Sequence, residues 1–161
     1  MLLAECYRDG KGGVARDFFQ AAMLLNEALA LEPNDARALD LLAVAYERGE
    51  GVTLDTRKAF ELMDRAVQLG NPNSMGNLGV YYMKGLGMAR PDPVKAAQLF
   101  KQGADLDSGL SMFFLAQCYE GGLGVAKNIA EARSYYRAAA ERGVPPAMRW
   151  CEEHNVPYTK R

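Results

Sequence analysis

Two side chains capable of chemistry lie three residues apart near the end of the sequence. Cys151 and His154 would share one face of a helix, where a thiol and an imidazole could bind a metal ion or act as nucleophile and base. His154 is the one histidine of the chain, and no third or fourth ligand accompanies the pair. We therefore expect His154 to be a surface residue, and we predict neither a catalytic residue nor a metal site.

Acidic residues recur in the sequence, at Glu5, Glu47 and Glu120, each close to a tyrosine. A pair of catalytic carboxylates is conceivable from this recurrence. Equivalent positions on neighbouring helices are stacked at about 10 Å, however, which gives no reason for a shared or perturbed proton. The pattern favours the solvated edge of a groove.

Pairs of glycines also recur, in the stretches "GEG", "GLG" and "GGLGV". A dinucleotide site needs G-x-G-x-x-G between a strand and a helix, and a P-loop needs G-x-x-x-x-G-K-[ST]. Neither arrangement is present in the sequence. We expect no nucleotide and no other cofactor.

The composition is that of an ordinary globular protein of 161 residues, with 49% hydrophobic and 24% charged residues. The net charge of -1 gives no general attraction to nucleic acid or to an acidic membrane surface. No apolar run approaches the length of about 20 residues that a membrane-spanning helix needs, and the N-terminus lacks a signal-peptide layout. With three cysteines, the default expectation is a reducing, cytoplasmic compartment.

A tyrosine recurs with a nearly constant period, which indicates stacked helical units. Tyr7, Tyr46, Tyr82 and Tyr119 are 39, 36 and 37 residues apart. Relative to each tyrosine, leucine stands at position -4 and a small residue at -3, and the last three tyrosines also have alanine or serine at -8. These positions form one face of a helix, helix A. Glycines at +3 and +5 end it, since glycine adopts the left-handed cap conformation at little cost.

A second helix, B, follows each glycine pair. Its first small residues are Ala21, Ala59, Ala96 and Ala132. Large side chains follow three and four residues later, and another small residue follows at seven, which again forms one helical face. We predict N-caps at Asp55 or Thr56 and at Asn128, and a start at Asp92-Pro93 for the third helix B.

These features together resemble the Sel-one-like repeat (SLR) family, which is related to the tetratricopeptide repeats. The family phrase is roughly A-x-x-x-L-G-x-x-Y-x-x-G-x-G-V followed by lysine-alanine, and Lys58-Ala59 and Lys95-Ala96 match its end. The likeness covers about residues 2–143. It implies an all-α fold, a right-handed α-α superhelix (solenoid) of about four helix-turn-helix repeats plus a C-terminal capping helix.

The whole chain is predicted to be one repeat domain. Its parts are units of approximately 1–36, 37–73, 74–109 and 110–146, a capping helix at 147–155 and a tail at 156–161. The first helix A starts at about Leu2 without a recognisable cap, so end-to-end association of two copies through the first hairpin is one expectation. In the capping helix, Trp150 is expected to pack back on the last hairpin.

Helix A lines the concave side of such arrays, so its remaining positions predict a groove. An apolar strip with a charged rim suits a peptide or protein partner. The predicted partner-binding residues are Arg37, Asp40, Val44, Arg48, Asn73, Val80, Met83, Lys84, Phe113, Gln117 and Glu120.

Together with the resemblance, this groove indicates a non-catalytic interaction module or adaptor that binds a protein or peptide, with no nucleic acid and no membrane insertion. Two alternatives remain from the sequence: a structural segment of a larger repeat protein, and a bacterial immunity protein that blocks an enzyme. A β-lactam-acting enzyme fits least. Relatives of that kind have regularly spaced cysteine pairs, and the nearest approach to S-x-x-K here is "SYYR" at Ser134.

Overall fold

The computed structural model describes residues 3–87 and 90–159, and every regular element within them is an α-helix. The predicted helix start at Leu2 and the end of the predicted tail, Lys160 and Arg161, lie outside these residues. The helices are α1 (Leu3–Asp9), α2 (Phe18–Leu31), α3 (Ala36–Arg48), α4 (Thr56–Gln68), α5 (Pro72–Lys84), α6 (Pro93–Asp105), α7 (Gly109–Gly121), α8 (Ile129–Glu141) and α9 (Pro145–Glu153). None of the helices in this part of the chain is long and apolar enough to cross a membrane.

The helices fall into two compact units, of which the first ends at Asn71 and the second begins at Pro72. Unit 1 contains the hairpins α1–α2 and α3–α4, and α2 also packs against α3. Unit 2 contains the hairpins α5–α6 and α7–α8 followed by α9. In it α7 packs against α5 and α6, and α9 packs against α8.

The predicted core positions of helix A are buried. Leu42, Leu78 and Leu115, at position -4, are 2%, 1% and 0% exposed. Leu3, at the same position of α1, is 54% exposed. The pattern therefore identifies the packing face of helix A in the second, third and fourth repeats.

One turn geometry is repeated in all four hairpins and uses the backbone carbonyl of the recurring tyrosine. The backbone carbonyl of each tyrosine accepts a hydrogen bond from the N–H of the residue that caps the next helix. These bonds join Asp17 to Tyr7 (2.8 Å), Asp55 to Tyr46 (2.9 Å), Asp92 to Tyr82 (2.7 Å) and Asn128 to Tyr119 (2.9 Å). The same four capping side chains accept backbone N–H groups of their own helices, which confirms the N-caps predicted at Asp55 and Asn128.

Lysine gives two of the hairpins a further connection between their helices. The Lys58 Nζ lies 4.5 Å from the ring centroid of Tyr46, and the Lys95 Nζ lies 4.3 Å from that of Tyr82. A cation over a tyrosine face is attracted by the ring quadrupole. The lysine-alanine pair of the repeat thus connects the start of helix B to the end of helix A.

The capping helix is displaced from its predicted bounds. It was expected at 147–155, and α9 occupies Pro145–Glu153. The fixed φ of proline suits the first helical turn, so the Pro145-Pro146 pair begins the helix instead of preceding it. Asn155, at a φ of 53°, then turns the chain out of the helix.

Candidate functional site

The last three helices of unit 2 form an open cleft. Two walls come from α7 and α9, and α8 supplies the floor. The volume of the cleft is about 400 Å³. We call it the α7–α9 cleft, and its lining residues are Phe113, Gln117, Glu120, Tyr136, Pro146, Arg149, Trp150 and Glu153.

An aromatic strip runs across this cleft. The ring centroids of Phe113 and Tyr136 are 5.8 Å apart, with an edge-on arrangement. Trp150 stacks on Tyr136 at 4.1 Å, which confirms that it packs back on the last hairpin. His154 stacks on Trp150, also at 4.1 Å. Because both faces of the indole are covered, Trp150 is held in one orientation before any partner binds.

A carboxylate fixes the polar end of the strip. Glu120 accepts a hydrogen bond from the Tyr136 hydroxyl at 2.8 Å and another from Trp150 Nε1 at 3.3 Å. The side chain is half-buried, so Glu120 is less solvated than the groove edge that the sequence favoured. Burial, together with the hydrogen bond to Glu120, raises the pKa of Tyr136 well above its usual range. The phenol therefore stays protonated and keeps donating to the carboxylate.

The repeats identify the family of the chain. The model of the Sel1 repeat matches residues 1–32, 36–71, 72–108 and 109–144. The chain belongs to the Sel1 repeat family. The resemblance found in the sequence is confirmed, and so is the all-α solenoid class of the fold.

Three proteins illustrate what this chain is similar to. Chitin synthase regulatory factor 2 of Schizosaccharomyces pombe is 28% identical over 155 residues, which are 91% of this chain and 30% of the relative. A Sel1 repeat protein from Oxalobacter formigenes has a crystal structure with a TM-score of 0.77 at 26% identity, covering 92% of this chain and 59% of that one. A protective antigen of uropathogenic Escherichia coli with an SLR fold gives 0.74 at 28% identity, over 99% and 34%. The chain thus spans less than a third of the fission-yeast relative.

The predicted partner-binding residues of unit 2 are only partly brought together. Phe113, Gln117 and Glu120 line the α7–α9 cleft. The residues predicted on α5 lie outside that lining. Of these, Asn73 and Lys84 are exposed, and Val80 and Met83 are half-buried.

The predicted residues of unit 1 lie on α3, where Arg37 has a partner inside the unit and Asp40 is buried. Arg37 donates to the Glu5 carboxylate at 2.7 Å, and Glu5 is itself buried, so the expectation of a solvated groove edge is wrong for Glu5. Asp40 is 7% exposed, which corrects the expectation that its position is free of internal packing. The reason is that α3 packs against both α2 and α4, which buries most of its circumference. Val44 is half-buried and Arg48 is exposed.

Several cleft residues were missed by sequence reasoning. Tyr136 was assigned to the core of helix B, and Trp150 was predicted to pack but not to line a site. Pro146, Arg149 and Glu153 were not predicted to line a site. Their spacing is the missed signal, because positions 146, 149, 150 and 153 share one helical face.

The thiols of this Sel1 repeat protein are unsuited to nucleophilic chemistry. Cys118 and Cys151 are buried, and burial raises the pKa of both thiols, that of Cys118 to about 11. His154, by contrast, is exposed, and its ring lies on Trp150. Among residues 3–87 and 90–159, no cluster of three or more His, Cys, Asp or Glu side chains could hold a metal ion.

Thiol alkylation is expected to distinguish the three cysteines. At pH 8 about one Cys118 thiol in a thousand would be ionised, and only the thiolate reacts. Cys6 is half-buried and should be modified by iodoacetamide first, as read by peptide mass spectrometry. In urea all three should react, and Cys6→Ser should abolish the rapid native reaction. Native modification of Cys118 at the rate of Cys6 would contradict its burial.

The first hairpin presents an apolar depression. Its volume is about 130 Å³, and it is lined by Leu3, Ala4, Leu24, Leu25 and Ala28. End-to-end association of two copies would use this face, and that association stays a prediction.

Proposed function

We propose that this Sel1 repeat protein is a non-catalytic interaction module that binds a segment of a protein partner in the α7–α9 cleft. The observation that carries the proposal is the cleft itself, in which the predicted residues Phe113, Gln117 and Glu120 meet the aromatic wall of α9. A volume of about 400 Å³ falls within the range of ligand sites and can take one or two partner side chains.

The physical character of the cleft supports a protein partner. Interfaces combine an apolar, aromatic centre with a polar rim, and their strongest contacts are often made by tryptophan and tyrosine. The centre here is the strip of Phe113, Tyr136 and Trp150, and exposed Gln117 and Arg149 stand beside it. Since stacking already fixes Trp150, little side-chain entropy remains to be lost on binding.

Family membership supports the same role. Sel1 repeat proteins typically serve as protein-interaction scaffolds. The fission-yeast relative is described as a regulatory factor, a role compatible with an adaptor. The exposed or half-buried residues predicted outside the cleft stay in the proposal as further contacts, to be tested separately: Arg37, Val44, Arg48, Asn73, Val80, Met83 and Lys84.

The reactive side chains support the non-catalytic part of the proposal. The thiols of Cys118 and Cys151 are buried with raised pKa values. The imidazole of His154 is stacked on Trp150 and has its Nδ1 at 2.9 Å from the Trp150 backbone oxygen. Nucleophilic catalysis requires a nucleophile within hydrogen-bond reach of its base, and these groups are not so placed.

A blocking substitution tests the proposal without removing any packed side chain. Gln117 is exposed and lines the cleft, so Gln117→Tyr should fill the cleft and leave the helices intact. Gln98 is exposed on α6 and does not line the cleft, which makes Gln98→Tyr a matched control. The three proteins would be immobilised and exposed to lysate of the source organism, and retained proteins would be quantified by mass spectrometry.

We expect a partner that is retained by the unmodified chain and by Gln98→Tyr, and lost from Gln117→Tyr. Circular dichroism should show equal helix content in all three proteins. A partner retained equally by all three proteins would show that the binding surface lies outside the cleft.

A further inference from the structure

The charge of Glu120 is not balanced by an ion pair. Within the described parts of the chain, the ion pairs of basic side chains involve other acidic residues. The two donors that Glu120 does have, the Tyr136 hydroxyl and the Trp150 indole N–H, are neutral. They orient the carboxylate and leave its negative charge in place.

The carboxylate also keeps acceptor capacity. An ionised carboxylate has about four lone-pair sites on its two oxygens. Tyr136 uses one site on Oε2 and Trp150 uses one on Oε1. Each oxygen therefore has room for one more donor, and Glu120 lines the cleft from which such a donor would arrive.

The charges around the cleft favour a cation. Glu120 and Glu153 carry negative charge and Arg149 carries positive charge, which leaves an excess of one negative charge in the lining. Arg149 and Glu153 are exposed, so solvent screens them more than it screens half-buried Glu120. The strongest field inside the cleft is then that of the Glu120 carboxylate.

We infer that the α7–α9 cleft accepts a lysine or arginine side chain from the protein partner. This inference rests on the proposed function and adds the chemistry of the bound group. The cationic head donates to the free lone pairs of Glu120, and the aliphatic stem lies along the ring of Phe113. A charge-assisted hydrogen bond to a half-buried carboxylate is stronger than one between neutral groups.

The alternative occupant is an acidic segment held by Arg149. Its carboxylate would enter a cleft that already contains Glu120 and Glu153, and like charges repel. Binding of that kind would depend on Arg149 and would be insensitive to Glu120.

Trp150 provides a local signal for the test, because it is the one tryptophan of the chain and its N–H donates to Glu120. A phage-displayed library of random twelve-residue peptides would be selected on the unmodified protein. Synthetic copies of the enriched peptides would then be titrated while the Trp150 indole N–H is followed by NMR.

Two isosteric variants separate a local contact from a general charge effect. Glu120→Gln removes the charge inside the cleft and retains a hydrogen-bond acceptor. Glu131→Gln removes an equal charge from the exposed surface of α8, outside the cleft. Peptides enriched in lysine or arginine should bind Glu120→Gln about tenfold more weakly or worse. The same peptides should bind Glu131→Gln within about twofold of the unmodified protein.

The outcomes distinguish the two proposals. Peptides that Gln117→Tyr abolishes but that bind Glu120→Gln with unchanged affinity would overturn the cationic inference and leave the proposed function standing. Acidic peptides that depend on Arg149 would do the same. If no enriched peptide shifts the Trp150 signal or responds to Gln117→Tyr, both proposals fail for this cleft.

Discussion

Gly124→Ala is expected to lower the free energy of unfolding by about 2–5 kcal/mol, although it adds a single methyl group. Gly124 has a φ of 71°, and left-handed backbone costs an alanine about 1–2 kcal/mol. The new Cβ would also overlap the backbone carbonyl of Pro93 at the start of α6. Overpacking of this kind adds about 1–3 kcal/mol, because the backbone cannot move aside as a flexible side chain could. Equilibrium urea unfolding, followed by far-UV circular dichroism, measures the loss.

Gly143→Ala is the matched control for that prediction. Gly143 has a φ of 76°, and a Cβ there would meet no atom within 4 Å. The free energy of unfolding should then fall only by the cost of left-handed backbone for alanine, about 1–2 kcal/mol. Equal losses for the two variants would show that the close approach of Gly124 to the preceding hairpin contributes nothing.

The two glycines of the second turn, and likewise those of the fourth, have different functions, and the sequence reveals only one of them. Gly49 and Gly122 are left-handed caps that end α3 and α7, as predicted from their positions after the tyrosine. Gly51 and Gly124 lie against the start of helix B in the preceding hairpin, at Phe18 and Pro93 respectively. A fixed spacing within one hairpin cannot show a contact with another hairpin, so this second function became visible only in the structure.

The register of the helices was predictable because the two helices of each repeat pack together through the same positions. Leucine at -4, a small residue at -3 and the capping residue of helix B recur since every hairpin buries the same face. A local departure is informative for that reason. Gly79 replaces the alanine found at position -3 in the other three repeats. A Cβ on Gly79 would overlap the ring of Phe100. The glycine thus compensates for a large side chain on the partner helix.

The cleft was less predictable, because its residues do not occupy equivalent positions in successive repeats. Phe113, Gln117 and Glu120 were named from the free positions of α7, but their partners come from α9, where the repeat pattern is lost. The same limit explains the burial of Asp40. Periodicity identifies which helical face is needed for one neighbour, and α3 contacts two. A position that is free in an average repeat can therefore be buried in a particular one.

Leu115→Ala is expected to destabilise the protein by about 2–5 kcal/mol, the usual cost of removing a fully buried leucine side chain. Leu115 is 0% exposed and occupies position -4 in α7, the helix that contacts α5, α6 and α8. The truncation would leave a cavity, because the surrounding structure of a core relaxes only in part. Urea unfolding monitored by circular dichroism provides the measurement, with the slope compared between variants to confirm an unchanged transition.

Leu110→Ala gives the same chemical change on the same helix at a different burial. Leu110 is 37% exposed, so part of the lost contact area is already in water, and we expect a loss of about 1 kcal/mol or less. The difference between the two variants isolates the contribution of burial, because helix propensity changes equally in both. If Leu115→Ala cost less than about 0.5 kcal/mol, the register that places position -4 in the core would be wrong. The cleft, which follows from that register through Phe113, Gln117 and Glu120, would then lose its structural basis.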